Sequence, residues 1–146
     1  MFEGLDIDWF AFTNANTILH FASGGGIVPS FVNEHVLKIS ETILSLPIIS
    51  PEISVNNKIE DFVLLPDNAS YQSYIQSFSE YARRGLFSYD KSVLNDYNST
   101  LYHLVAEPII ILYKEDLPDP LRILMQTAKA SIEQGQSQID IKEMIE

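Results

Sequence analysis

The stretch DIDWFAF at residues 6–12, followed by TNAN at 13–16 and TILHFASGGG at 17–26, decides the fold of this chain. Apolar and aromatic residues dominate both halves, and asparagines between them tolerate the left-handed backbone of a tight turn. We therefore predict an N-terminal β-hairpin. Because aromatic residues fall on both faces of its first strand, we expect that strand to be covered on both sides and to lie inside the sheet. The three glycines free the backbone for a bend into a helix.

The spacing of apolar residues predicts two main helices. The first begins with Ser30 as its N-cap and runs for about 16 residues until Pro47 ends it. Its apolar positions recur at three- and four-residue steps: Val32, Val36, Ile39, Ile43 and Leu46. The second begins after the N-cap Asp67 and ends at Gly85. Its stripe has a clean helical period that favours a core position over an interface: Tyr71, Tyr74, Ile75, Phe78, Tyr81 and Ala82.

The segments between and after these helices predict further short elements. We expect an irregular connection over residues 47–60 with a short strand at Ile53–Val55, and then either a short strand or an apolar connector at 61–65. Strands are predicted at 86–89 and over 100–113, where Pro108 marks a bulge, a bend or an edge position.

The C-terminal part begins with a helix entry at Leu117–Pro120. Two alternatives remain beyond it: the helix continues through Ile132, or residues 128–132 and 137–141 form strands. Together the patterns predict one α+β domain over residues 1–146. Its sheet is antiparallel or mixed, and the N-terminal β-hairpin packs against the two main helices.

Composition limits the class of protein. A hydrophobic fraction of 46% with 8 Phe and 7 Tyr is enough for a core. Cysteine is absent from the sequence, which excludes disulfides, thiolate metal sites and thiol nucleophiles. The N-terminal residues lack the pattern of a signal peptide, and no apolar run approaches the roughly 18 residues that span a bilayer. We therefore expect a cytoplasmic protein.

The charge balance favours one kind of partner. Twenty acidic residues against nine basic ones give a net charge of −11. Such a surface repels nucleic acid and anionic membrane, because binding to phosphates relies on Lys and Arg. A basic protein would be attracted and its encounter accelerated. High charge also keeps a domain soluble, so charge alone does not establish a partner.

Several islands of sequence resemble small, largely uncharacterised bacterial proteins of the contact-dependent or polymorphic toxin immunity type. They are DWF at 8–10, HFASGG at 20–25 leading to Pro29, YARRGLFSYD at 81–90, and LVAEP at 104–108 followed by Leu117-Pro118. The resemblance implies an α+β domain that binds a protein partner. It implies no catalytic residues.

No motif predicts an enzyme, a cofactor or a metal. The triple glycine is followed by Ile27, Val28 and Pro29, so it fits neither a phosphate-binding loop nor a dinucleotide fingerprint. The three histidines lack metal-ligand spacing. His20 is expected to pack in the sheet with its ring nitrogens hydrogen-bonded.

The leading hypothesis is a non-enzymatic, acidic immunity-type protein that neutralises a basic toxin. Its partner-binding candidates are the acids Asp6, Asp8, Glu115, Asp116 and Asp119. The last three also fit a helix N-terminus, where acids complement the dipole. The alternative is a small-ligand domain or hydrolase that uses the Gly24–Gly26 bend with His20 and Ser23. The oligomeric state stays open, and a homodimeric scaffold is a third hypothesis.

Overall fold

The computed structural model describes residues 4–125 and 128–145, and these residues form an α+β fold. The strands are β1 (Asp8–Phe12), β2 (Ile18–Ala22), β3 (Ile53–Val55), β4 (Phe87–Lys91), β5 (Leu101–Pro108) and β6 (Gln138–Asp140). The helices are α1 (Val36–Leu44), α2 (Asn68–Arg83) and α3 (Asp119–Leu124). The predicted fold class and the N-terminal hairpin are confirmed.

The strands form one mixed sheet. Their order is β1-β2-β4-β5-β3, and β6 pairs with the first half of β5. The β2–β4 pair is parallel, with Leu19 opposite Phe87, while the other pairs are antiparallel. The connection between β2 and β4 contains α1, β3 and α2. The middle of the sheet is therefore built from two distant parts of the chain.

The two faces of the sheet have different cores. Trp9 and Phe21 lie on one face, where their rings stack with centroids 4.1 Å apart. Phe10 and Phe12 lie on the other face, toward the helices. Both sides of β1 are thus covered, but its predicted place inside the sheet is wrong. It is an edge strand whose outer side binds the C-terminal segment, through Phe12 to Ala128 and Ala130.

Helix α2 follows its sequence pattern closely. The Asp67 side chain accepts a hydrogen bond from the backbone N–H of Ser70 at 2.7 Å, as an N-cap should. Gly85 ends the helix with a φ of +96°. Phe78, Tyr81 and Ala82 are buried against the sheet, which agrees with the predicted core position of the stripe.

Helix α1 is shorter than predicted. It begins at Val36, and Ser30 does not cap it. The cause lies in the two cores: Phe31 and Val32 pack against the cluster around Trp9, whereas Ile39 and Ile43 pack in the cluster on the opposite face. One straight helix would place these residues on a single face, so the chain enters α1 only after crossing between the cores.

The remaining predictions have mixed outcomes. β3 lies at its predicted position, and β5 ends at Pro108. A single 3-10 turn at Ile59–Asp61 leads into an apolar connector instead of a strand at 61–65. Residues 109–113 do not continue β5; Tyr113 makes only an isolated bridge to Thr17.

Helix α3 ends before the longer helix predicted for this region. Residues 126 and 127 lie outside the described part of the chain, and residues 128–132 are not helical. They are not a strand either, apart from one bridge between Lys129 and Phe12. The predicted strand at 137–141 is present as β6. In the described part of the chain, no helix has the length and hydropathy to cross a bilayer.

Candidate functional site

A row of polar side chains crosses the helix-facing side of the sheet. The strand registers place Asp8 opposite Ala22, Ala22 opposite Asp90, and Asp90 opposite His103. In-register residues on neighbouring strands point to the same side. Ala22 has the smallest side chain of the four, so a gap separates the two aspartates.

His20 lies one pleat further along the same face and fixes the position of Asp8. Its Nε2 is 2.7 Å from Asp8 Oδ1, and its Nδ1 is 2.6 Å from Ser88 Oγ. A neutral ring satisfies both contacts if Nε2–H donates to the carboxylate and Nδ1 accepts from the serine hydroxyl. Tyr81 stacks on the ring with centroids 3.7 Å apart. The prediction that both ring nitrogens are satisfied is confirmed.

This Asp–His–Ser arrangement differs from that of a serine hydrolase. In such an enzyme the serine is exposed to substrate and the aspartate is buried behind the histidine. Here Ser88 is fully buried, while the Asp8 side chain is 42% exposed. The exposed member is therefore a carboxylate, and the histidine acts as its support.

Asp90 is held in a second chain of hydrogen bonds. Tyr74 Oη donates to Asp90 Oδ2 at 2.6 Å and lies 2.8 Å from His103 Nε2. Because the Tyr74 hydroxyl donates its proton to the hydrogen bond with Asp90, its oxygen accepts from His103 Nε2–H. His103 Nδ1 then accepts from Ser92 Oγ at 2.9 Å. Phe62 stacks on the His103 ring, with centroids 4.7 Å apart. Hydrogen bonds within the chain thus hold both aspartates in position.

The two aspartates open into a cleft of about 660 Å³ between the sheet and α2. Its floor is formed by Ala22 and the two carboxylates, and Asp6 lies at one end. The helix contributes the opposite wall: Tyr74, Ser77, Phe78, Glu80, Tyr81 and Arg84, with Leu44 of α1 beside them. The Arg84 guanidinium is engaged by Glu80, with Nη1 2.7 Å from Oε1. The charges on the sheet side of the cleft are acidic, and on the helix side Glu80 is shared between Arg84 and Arg83.

The surroundings shift the pKa values of the Asp8 and Asp90 carboxyl groups in opposite directions. Burial raises the pKa of Asp8, but its interaction with His20, together with a hydrogen bond from Tyr81, holds the pKa below its usual value. Burial raises the pKa of Asp90 to about 6; hydrogen bonds from Tyr74 and the Lys91 amide lower it, and the charges of Asp6 and Asp8 raise it. Burial and nearby carboxylates also raise the pKa of the Tyr74 and Tyr81 hydroxyls, which therefore stay protonated as donors.

The predicted partner-binding acids fall into two separate groups. Asp6 and Asp8 lie together at the cleft. Glu115, Asp116 and Asp119 lie elsewhere, around the start of α3. Asp116 Oδ2 accepts from the Tyr113 amide at 3.1 Å, and Asp119 pairs with Arg122. Those two acids have the local roles expected near a helix N-terminus.

The glycine bend is a structural element beside the cleft. Ser23 is fully buried, and its hydroxyl accepts from the Ile7 amide and donates to the Leu5 carbonyl. Gly24 N–H donates to Asp6 Oδ1 at 3.0 Å. A Cβ on Gly26 would lie 2.6 Å from Cε of Lys91, a buried lysine. The bend thus makes room for Lys91 and places Asp6; it does not bring Ser23 to the cleft.

Sequence reasoning missed Asp90, Tyr74 and His103 as parts of the site. A signal for Asp90 was present: Phe87 and Tyr89 alternate with Ser88 and Asp90, which is typical of a strand with one polar face. The strand predicted at 86–89 stops one residue short of Asp90, whereas β4 extends to Lys91. No signal could identify its neighbours on the sheet, since Ala22 and His103 join it through the pairing of β4 with β2 and with β5.

The comparisons with known proteins add no relationship. No family model, curated protein or solved structure matches the chain. Among the described residues, no group of three or more His, Asp or Glu side chains has the arrangement of a metal site.

Proposed function

We propose that this protein is a non-enzymatic, acidic binding protein of the immunity type, which neutralises a basic toxin domain by capturing one of its cationic side chains in the cleft. The observation that carries the proposal is the fixed Asp8 carboxylate, which accepts from His20 and is 42% exposed toward the cleft. A Lys or Arg side chain would find an ionised acceptor there, and Asp6 beside it.

Two properties of the whole chain support this proposal. The net charge of −11 would steer a basic partner toward the protein, and rim charges such as Asp6 act chiefly on the association rate. The sequence islands at 8–10, 20–25, 81–90 and 104–108 resemble those of immunity-type proteins.

The test is co-expression with any basic toxin domain that a neighbouring gene encodes, followed by affinity measurement. We expect protection by the wild type, a loss of affinity of about tenfold or more for Asp8→Asn, and a smaller loss for Asp6→Asn. Glu133→Gln is the matched control, because Glu133 is exposed and lies near the hairpin turn, where Gln134 binds Thr17. Unchanged toxicity together with no complex on a sizing column would refute the proposal.

A second candidate function is hydrolysis by general acid–base catalysis. The observation in its favour is the opposite pKa shift of Asp8 and Asp90, an arrangement that separates a base from an acid. Their Cα atoms are two strand spacings apart, about 10 Å. Asp90 would donate a proton to a leaving group while Asp8 activates water, and His20, but not Ser23, would take part by positioning Asp8.

Chromogenic nitrophenyl glycosides and esters test this second function. Turnover by the wild type that is lost in Asp90→Asn and Asp8→Asn, but kept in Asp119→Asn, would support it. An absence of turnover across both substrate classes, in a preparation that binds its toxin, would leave protein binding as the function.

A further inference from the structure

An apolar groove of about 440 Å³ lies next to the acidic cleft. It is lined by Leu46, Pro47, Ile49, Ile110, Ile111 and Leu112, with Arg84 and Asp116 at its edges. Around it, the exposed fractions of aliphatic side chains are high: 53% for Ile110, 62% for Ile109 and 50% for Ile48. Several exposed isoleucines on two adjacent loops mark a surface that favours an apolar partner.

Hydrogen bonds within the chain join the two loops that form the groove. The buried Ser50 hydroxyl accepts from the amides of Ile109 and Ile110, at 2.9 and 3.0 Å, and donates to the Glu52 carbonyl. The amides of Ile49 and Ser50 both donate to the Arg83 carbonyl at the end of α2. These bonds hold the loops at 48–50 and 109–110 against each other, so binding would cost little ordering entropy.

Arg84 forms a ridge between the groove and the cleft, since it borders both. Its Nη1 donates to the Glu80 carboxylate and carbonyl, and its Nε donates to the Leu46 carbonyl at 3.3 Å. The guanidinium is therefore fixed, and Glu80 is shared between Arg84 and Arg83, whose Nη1 lies 2.9 Å from Oε2. A chain that passes over it meets acids on one side and aliphatic side chains on the other.

We propose that the partner presents an extended segment that crosses Arg84, with a Lys or Arg side chain in the acidic cleft and an aliphatic side chain in the apolar groove. This inference rests on the proposed binding function and names the chemistry of the segment recognised. Charge selects this occupant over a second copy of the chain, because a second copy would bring another net charge of −11 to an acidic surface.

The test uses backbone-amide NMR titration of the whole protein with capped peptides. One series contains an arginine followed by two leucines, separated from it by one, two or three glycines; the matched series has serines in place of the leucines. We expect the best leucine peptide to bind about tenfold more tightly than its serine counterpart and to shift amides at both 8–22 and 109–112. The serine peptide should shift only the cleft amides.

Variants separate the two contacts. Ile110→Ser should remove the gain from leucine and leave the dissociation constant of the serine peptide unchanged. Ile123→Ser is the matched control, because Ile123 is 62% exposed on α3 and does not line the groove. If leucine adds no affinity at any spacing, or Ile110→Ser keeps the gain, the crossing segment is wrong while cationic capture stands. If no peptide shifts the cleft amides at millimolar concentration, the proposed capture of a cation is wrong as well.

Discussion

The Tyr74 hydroxyl joins two titratable side chains that respond to pH in opposite directions. The folded state raises the pKa of Asp90 to about 6, so this group stabilises the fold at low pH and loses that contribution as pH rises through 6. Burial lowers the pKa of His103 to about 4, so this group stabilises the fold at neutral pH and loses that contribution as pH falls through 4. As pH rises between about 4 and 6, the contribution of Asp90 to the free energy of unfolding falls while that of His103 increases. The two contributions therefore oppose each other in this range.

Replacing Asp90 or His103 should reveal how the remaining residue makes the free energy of unfolding depend on pH. Between neutral pH and pH 4, the free energy of unfolding of Asp90→Asn should fall by about 2 kcal/mol more than that of the wild type. The reason is that the variant lacks Asp90, which stabilises the wild type as pH falls. The free energy of unfolding of His103→Gln should fall less than that of the wild type over the same pH range, because the destabilising protonation of His103 is absent. Urea denaturation at a series of pH values measures both.

An exposed aspartate provides the control for this measurement. Asp61→Asn changes the same functional group outside the Tyr74 chain and should give a profile parallel to that of the wild type. Parallel profiles for Asp90→Asn as well would mean that Asp90 is not coupled to folding in the way its burial indicates.

At the scale of elements, the backbone at the end of α2 is tightly restricted. Gly85 has a φ of +96°, and a Cβ there would lie 2.5 Å from the Leu112 amide nitrogen and 2.9 Å from Ile49 Cδ1. Both the left-handed backbone and the contact with a neighbouring backbone therefore exclude a side chain. Ile49 and Leu112 also line the apolar groove, so this close approach joins α2 to the groove.

Gly85→Ala should be much more destabilising than the same change at Gly135. Gly135 has a similar φ of +82°, but a Cβ there would meet no atom closer than 3.8 Å. Its replacement should cost about 1–2 kcal/mol from the backbone alone. Gly85→Ala adds the steric clash and should cost about 3 kcal/mol or more. Equal decreases in the free energy of unfolding for the two variants, measured by urea denaturation, would show that Leu112 and Ile49 can move away from the added Cβ at no energetic cost.

At the scale of the whole molecule, local patterns predicted local structure and failed where distant segments meet. The hairpin and α2 follow from alternation, turn residues and caps, all of which lie within a few residues of each other. The start of α1 could not be predicted from its local pattern, because Val32 fits the helical spacing but belongs to the core on the other face of the sheet. The edge position of β1 likewise depends on its partners, which its own residues do not specify.

The candidate site was predictable only in part for the same reason. Asp6 and Asp8 were identified because they lie together at the start of the N-terminal hairpin, and His20 was assigned a packed position that agrees with its contacts. Asp90 joins them only through the parallel pairing of β2 with β4. The acids at 115–119, which looked equivalent in sequence, have local partners such as Tyr113 and Arg122 instead.

The parallel pairing of β2 with β4 also determines which pieces of the chain could carry out the proposed binding in the cleft. Leu19 and Phe87 are neighbours in the sheet although 67 residues separate them, and the wall of the cleft comes from α2 between them. A nascent chain released before β4, or a proteolytic fragment that begins after β2, lacks half of the cleft floor. The proposed binding would therefore require the assembled sheet, and a partner that engages the cleft would discriminate folded molecules from incomplete ones.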